Sequence, residues 1–185
     1  MTHSSLPSDP QPGDLQRGKA YPGEGVTVYY EATRCVHVAN CVRGLPAVFR
    51  PSERPWIQAW NAPAEQIAAA VRSCPTGALH YALTGGATEA PEVPTTVTAV
   101  TDGPLLLRGN LRLQTPEGEQ REVRAALCRC GASTHKPFCD GTHAKIAWKS
   151  AGEASPSVRG DDHPEAGQRA DGARESSEKA GEERV

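Results

Sequence analysis

The sequence predicts an α+β fold: two small modules in a row, the second an antiparallel β unit, between disordered termini. Three observations predict it. Only 37% of the 185 residues are apolar, against roughly 45–50% in an average soluble domain, and the deficit is concentrated at the ends and in one central gap. Alternating, strand-type patterns outnumber helical ones. The six cysteines divide three and three, at 35, 41 and 74 and at 128, 130 and 139.

The ends separate first. Residues 1–24 contain Pro7, Pro10, Pro12, Gly13 and Pro22 and are expected to be a disordered segment. Residues 150–185 hold nine acids and five bases, with Val158 and Val185 as the only strongly apolar side chains. Such a stretch cannot bury enough apolar surface to offset ordering entropy, and a disordered tail is expected. The Gly- and Pro-rich stretch at 85–95 reads as a linker. The modules that remain, 25–84 and 96–149, are too small to rely on apolar burial alone, and metals commonly make up the difference.

Composition also narrows the function. The chain carries −2 overall, and residues 25–149 carry +3, too little to argue for nucleic acid. No apolar run approaches the roughly 20 residues of a membrane span. The first twenty residues lack the basic start and apolar stretch of an export signal. A soluble cytoplasmic protein is therefore expected, whose cysteines are metal ligands or redox groups rather than disulfides.

In the first module Val26–Tyr30 reads as a strand. Ile67 and Val71 lie one turn apart on a helix starting near Asn61 and Pro63, and this helix delivers Cys74. Cys35, Cys41 and the Cys74-Pro75 pair are either a three-thiolate metal site or three buried free thiols in a small core. Trp56, Trp60, Tyr29, Tyr30 and Phe49 are expected to be core or cover residues.

In the second module Leu105, Leu107, Leu111 and Leu113 share one face of a strand. After a turn at Thr115–Gly118, Val123, Ala125 and Leu127 alternate on the return strand, which runs into Cys128. Val97–Val100 can add a further strand. Cys139 and His143 are one helical turn apart and can face one site. Asp140 is a suitable N-cap for a helix from Gly141 to about Trp148. Pro137 fixes the loop that returns Cys139, and Gly141 permits close backbone approach. His135 and Lys136 are expected to be solvated loop residues, and Trp148 a cover residue. Three thiols and an imidazole are an ordinary zinc set, although one residue between Cys128 and Cys130 is short for a zinc knuckle.

The second cluster resembles the CDGSH (mitoNEET-type) iron–sulfur family, whose motif is C-x-C-x2-[ST]-x3-P-x-C-D-G-[SAT]-H. Cys128, Cys130, Ser133, Pro137, Cys139, Asp140, Gly141, Thr142 and His143 all match it. The resemblance implies a [2Fe–2S] cluster held by Cys128, Cys130, Cys139 and His143, with Pro137, Asp140 and Gly141 around it. The first module resembles the divergent single-cluster bacterial ferredoxins, through Cys35, Cys41, Arg43–Phe49, Pro55–Ile57 and Cys74–Leu79. Val38 stands where such ferredoxins have a middle cysteine. Three thiolates from Cys35, Cys41 and Cys74, with Pro75 beside the last, suit a [3Fe–4S] cluster. The alternative [4Fe–4S] cluster needs a further ligand, His37 or water.

A ferredoxin-like module followed by a CDGSH module implies a one-electron carrier rather than an enzyme. It would serve redox protein partners, a reductase or an oxidoreductase. The competing expectations are a redox or iron sensor that stores or transfers a cluster, and an electron-transfer subunit of an oxidoreductase complex.

Overall fold

The alternation Val26-Thr-Val-Tyr-Tyr30 does form a strand, the centre of a three-stranded antiparallel sheet. In chain order its strands are β1 (Lys19–Gly23), β2 (Val26–Tyr30) and β3 (Leu79–Leu83). Val28 sits between Tyr21 on β1 and Tyr81 on β3. The computed structural model describes residues 12–150, so all of the expected tail at 150–185 except Ser150 lies outside the described residues.

Two short helices complete the first module: α1 (Asn40–Gly44) and α2 (Ala64–Arg72), which starts at Pro63. The apolar face of α2 (Ile67, Ala68, Ala70 and Val71) is buried with Val26, Val28, Leu79 and Tyr81, and Val48, Phe49 and Ile57 close the same core. Trp56 packs on this core edge-on to Tyr30, ring centroids 4.8 Å apart. The cover role expected of Trp56 and Tyr30 thus agrees with the packing, whereas Trp60 is exposed.

The expectation of disorder through residue 24 is corrected. Pro12–Leu15 forms a 3-10 turn with Leu15 fully buried, and Lys19–Gly23 is β1. The prolines misled: Pro22 lies on β1, whose only strand neighbour among the described residues is β2, and an edge strand tolerates a residue without an N–H.

The second module is a second antiparallel sheet of β4 (Thr96–Ala99), β5 (Leu105–Thr115) and β6 (Gly118–Leu127), in that order. A bulge between Arg108 and Leu111 shifts the β5–β6 register. Its own apolar core is small: Leu111, Ala125 and Phe138 are buried, with Leu107, Leu113 and Leu127 packed against them.

The rest of the burial comes from contact with the first module. Glu122 and Arg124 alternate with Val123 and Ala125 on β6, positions that pattern alone assigns to solvent, yet they are 0% and 1% exposed. Arg124 reaches into the first module. Its Nη1 donates to the carbonyls of Val71 (3.0 Å) and Cys74, and its Nη2 to that of Leu79 (3.0 Å). Nε and Nη2 donate to the two carboxylate oxygens of Glu89 at 2.9 and 2.6 Å. Each of the five guanidinium donors has a partner. The Val71 carbonyl, at the end of α2, also accepts from Cys74 N–H, so Arg124 takes up its second lone pair.

Glu89 comes from the stretch expected to be a loose linker, and that expectation is also corrected. Thr88 bridges to Ala82, Leu83 N–H donates to the Ala87 carbonyl at 2.8 Å, and Glu89 is 5% exposed. A second charged group lies alongside. Glu122 accepts from Arg34 Nη1 at 2.6 Å and from Arg17, and its other oxygen is 3.6 Å from His80 Nε2. Gly77 completes the seam: at φ +70° it packs so closely that a Cβ would lie 2.4 Å from the Arg124 carbonyl oxygen. All described residues therefore fall within one compact unit.

Removing one partner of a buried ion pair leaves the other charged and unpaired. Arg124→Ala should therefore lower the unfolding free energy by about 3–5 kcal/mol, read from denaturant midpoints. A loss below about 1 kcal/mol, the range of surface pairs, would contradict this role.

Burial, with the charges of Arg124, Arg34 and Arg17, holds His80 well below the ordinary histidine range, so it is neutral in the fold. The unfolded chain then binds more protons than the fold once pH falls below about 6.5, and stability drops as pH drops. His80→Gln should flatten that acid slope of the thermal midpoint. Equal slopes in parent and variant would exclude His80 as its source.

Candidate metal centres

Three different elements bring the first three cysteines together. Cys35 follows a 3-10 turn, Ala32–Arg34. Cys41 sits in the first turn of α1, and Cys74 lies just beyond α2, where its N–H donates to the Val71 carbonyl at 3.0 Å. Between Cys35 and Cys41 the chain winds tightly, with His37 and Ala39 both in the left-handed region at φ 57° and 60°. Asn40 Nδ2 ties this loop to the end of α2 by donating to the Ser73 carbonyl at 3.0 Å. The three thiols line one concavity with Tyr30, Trp56 and His37.

One thiol in this concavity, Cys41, is hard to ionise without a cation. Burial, then the neighbouring Cys74, push the Cys41 thiol up to about 11. Burial, then a hydrogen bond with Cys35, raise the Tyr30 hydroxyl beyond its usual range. A bound cationic centre reverses the penalty, because thiolate rather than thiol is the ligand. His37 Nδ1 lies 3.9 Å from Cys35 Sγ, so its imidazole is on the thiol side of the loop. Val38 is 43% exposed, and its carbonyl is held by Arg43 Nη2 at 2.7 Å. Pro75 is half-buried behind Cys74.

The second group is built on the end of β6. Phe138 forms a β-bridge with Leu127, Cys128 N–H donates to the Pro137 carbonyl at 2.9 Å, and Cys139 N–H donates to the Ala126 carbonyl at 2.8 Å. The returning loop thus lies antiparallel to the end of the strand and sets Cys139 beside Cys128. Ser133 clamps the loop from inside: its hydroxyl donates to the Phe138 carbonyl at 2.7 Å and accepts from His135 N–H at 3.0 Å.

The expected helix is only one turn long, α3 (Thr142–Lys145), and its N-cap is Gly141 rather than Asp140. Asp140 acts across the loop instead. One carboxylate oxygen accepts from Thr142 N–H at 3.0 Å, and the other accepts from Thr134 N–H and Oγ1, both at 3.0 Å. Burial opposes ionisation of Asp140, but these donors outweigh it and hold the carboxyl well below the usual carboxylate range. The helix stops early because Ala147 turns left-handed at φ 50° and the chain leaves the axis. Trp148 packs under Arg129 at 5.1 Å, and Ser150 binds Asp102. His135 stacks on Phe138 at 5.9 Å, which a solvated loop residue would not do, whereas Lys136 is exposed as expected.

The four donors gather as two pairs. Cys128 and Cys130 Sγ are 3.8 Å apart, and Cys139 Sγ is 3.3 Å from His143 Nδ1. Among the described residues, no three such donors surround a single point suited to one ion. Burial raises the Cys139 thiol. For Cys128 burial acts upward too, but N–H groups of Ser133 and Gly131 outweigh it and the net shift is downward.

Sequence reasoning missed the charged residues behind both groups: Arg17, Arg34, His80, Glu89, Glu122 and Arg124. Arg34 is 1% exposed, and its guanidinium stacks on Phe138 at 4.2 Å. One available signal was its position immediately before Cys35.

Among the described residues no helix is long and apolar enough to cross a membrane. Residues 21–84 match a family described as divergent 4Fe-4S mono-cluster, and residues 102–144 match one described as iron-binding zinc finger CDGSH type. The uncharacterized protein YjdI of Escherichia coli K12 is 35% identical over 63 residues, 34% of this chain and 83% of that protein. YjdI of E. coli O157:H7 matches to the same extent. The chain belongs to the divergent 4Fe-4S mono-cluster family, carries a CDGSH domain behind that module, and is an iron–sulfur protein.

Proposed function

We propose that this protein carries single electrons between redox proteins using two unlike iron–sulfur centres. In this reading Cys128, Cys130, Cys139 and His143 hold a [2Fe–2S] cluster. Cys35, Cys41 and Cys74 hold a [3Fe–4S] cluster, with [4Fe–4S] as the form that His37 or water completes. When bound, such clusters supply one-electron exchange, at potentials set by ligation, charge, hydrogen bonding and exposure.

The observation that carries the reading is the pairing of donors at the second site. Two thiols 3.8 Å apart suit one tetrahedral iron, and the Cys139–His143 pair suits a second. A single zinc would need all four donors about one point. At the first site three thiols share one concavity and Val38 occupies the fourth cysteine's place, which favours three irons. His37 beside Cys35 is the side chain placed to close a four-iron form.

Anaerobic purification with iron and sulfide counts, and EPR of oxidised and dithionite-reduced samples, tests the assignment. The expected result is an oxidised [3Fe–4S] signal and a separate reduced [2Fe–2S] signal. A colourless, zinc-loaded protein would overturn it. His37→Ala should leave the three-iron signal intact and reduce conversion to a four-iron form in excess ferrous iron. Unchanged conversion would assign the extra ligand to water. Transfer of intact cluster to an apo-acceptor faster than reduction by a ferredoxin reductase would favour the storage and transfer role instead.

His143 adds a second test. Iron holds thiolates more firmly than an imidazole against mild acid, so acid should release iron from this site first. His143→Cys should retain its iron to lower pH than the parent, followed by loss of visible absorbance. Identical pH profiles would show that acid acts elsewhere.

A further inference from the structure

The two cysteine groups belong to different modules, but the loops that carry them touch. Val36, the residue after Cys35, packs against Gly141, which lies between Cys139 and His143. A Cβ on Gly141 would be 3.7 Å from the Val36 α-carbon. One residue back on each loop's near side, Arg34 stacks on Phe138 at 4.2 Å, so the residue before Cys35 covers the residue before Cys139. Consecutive α-carbons are about 3.8 Å apart, so those of Cys35 and Cys139 are no more than roughly 17 Å apart through this contact.

The contact is held from both sides. Arg34 is bound to Glu122 of β6 at 2.6 Å. Behind Cys74, Arg124 of β6 grips the Val71, Cys74 and Leu79 carbonyls. Gly141 is in the left-handed region at φ +83°, a conformation that side-chain-bearing residues rarely adopt, and it leaves Val36 room to approach.

We propose that the contact of residues 34–36 with residues 138–141 is the path by which an electron crosses between the two centres, making the chain an intramolecular relay. The inference rests on the two-centre reading above. A one-electron reductant protein supplies the electron at one site. It crosses the loop contact, leaving the first centre oxidised and the second reduced, and a one-electron acceptor protein removes it. No bond forms or breaks, and no proton needs to move. Arg34 and Phe138 act as positioning residues that keep the two loops in contact.

Magnetic coupling tests this in the full chain without relying on turnover. The EPR signal of one centre would be recorded at potentials where the other is diamagnetic and where it is paramagnetic. The expected result is faster spin relaxation in the second case, seen as saturation at higher microwave power, and loss of that enhancement in Cys41→Ser. Saturation behaviour independent of the other centre's state would overturn the proposal. Phe138→Leu should slow equilibration between the centres after photoreduction while both iron counts are retained. An unchanged rate would exclude this contact as the path. A chain that loads only one centre overturns the two-centre reading and this inference together, whereas two loaded but uncoupled centres overturn this inference alone.

Discussion

A buried guanidinium with five acceptors is the constraint on which this architecture depends. Arg124 lies on the second sheet but directs its hydrogen bonds to three carbonyls of the first module and to Glu89 of the connecting stretch. An unpaired charge in that position would be prohibitive, so the Arg124 site, Glu89 and the end of α2 must form together. This explains why the stretch between the modules is not a free tether. It delivers Glu89, and without that carboxylate the Arg124 charge has only neutral carbonyls to face. The second module's own apolar core, three buried side chains with three more against it, gives it little independent means of stability.

The same interface shapes the surroundings of both thiol groups. Three guanidiniums, from Arg17, Arg34 and Arg124, face three carboxylates, from Glu31, Glu89 and Glu122, and His80 between them is neutral. Burial pushes the Glu122 carboxyl upward, while Arg34 and Arg17 oppose the shift. This network reaches the thiol groups through Arg34, which immediately precedes Cys35, and Arg124, which donates to the Cys74 carbonyl.

What was legible in the sequence was local. The β2 alternation, the α2 face with Ile67 and Val71, the leucines of β5 and the four-residue step from Cys139 to His143 each follow from a repeat that backbone geometry imposes. What was illegible was pairing across modules. Glu122 and Arg124 obey the alternation of a strand with one wet face, and nothing within ten residues of them reveals the partners at 34, 71, 74, 79 and 89. Pro22 and the run at 85–95 misled for the converse reason. Proline and glycine mark where regular structure is costly, not where contact is lacking. At the second group the side chains that gather were readable from spacing. The work of Asp140 as a cross-loop clamp was not, because Thr134 precedes it by a turn whose path only the fold defines.

The two sites also differ in ways that bear on direction. The first has aromatic cover from Tyr30 and Trp56 and a thiol raised by burial and by its neighbours. The second has Cys128 lowered by backbone donors, one imidazole in place of a thiolate, and a helix of a single turn at its edge. Replacing thiolate by imidazole removes negative charge from a cluster and raises its potential. Thiolates packed in a less solvated pocket favour the more oxidised state, and the arginines on that side, Arg34 and Arg124, are themselves paired with Glu122 and Glu89. In the proposed carrier, the imidazole ligand at one end of this short contact and the less solvated thiolate pocket at the other thus both favour the electron on the second centre.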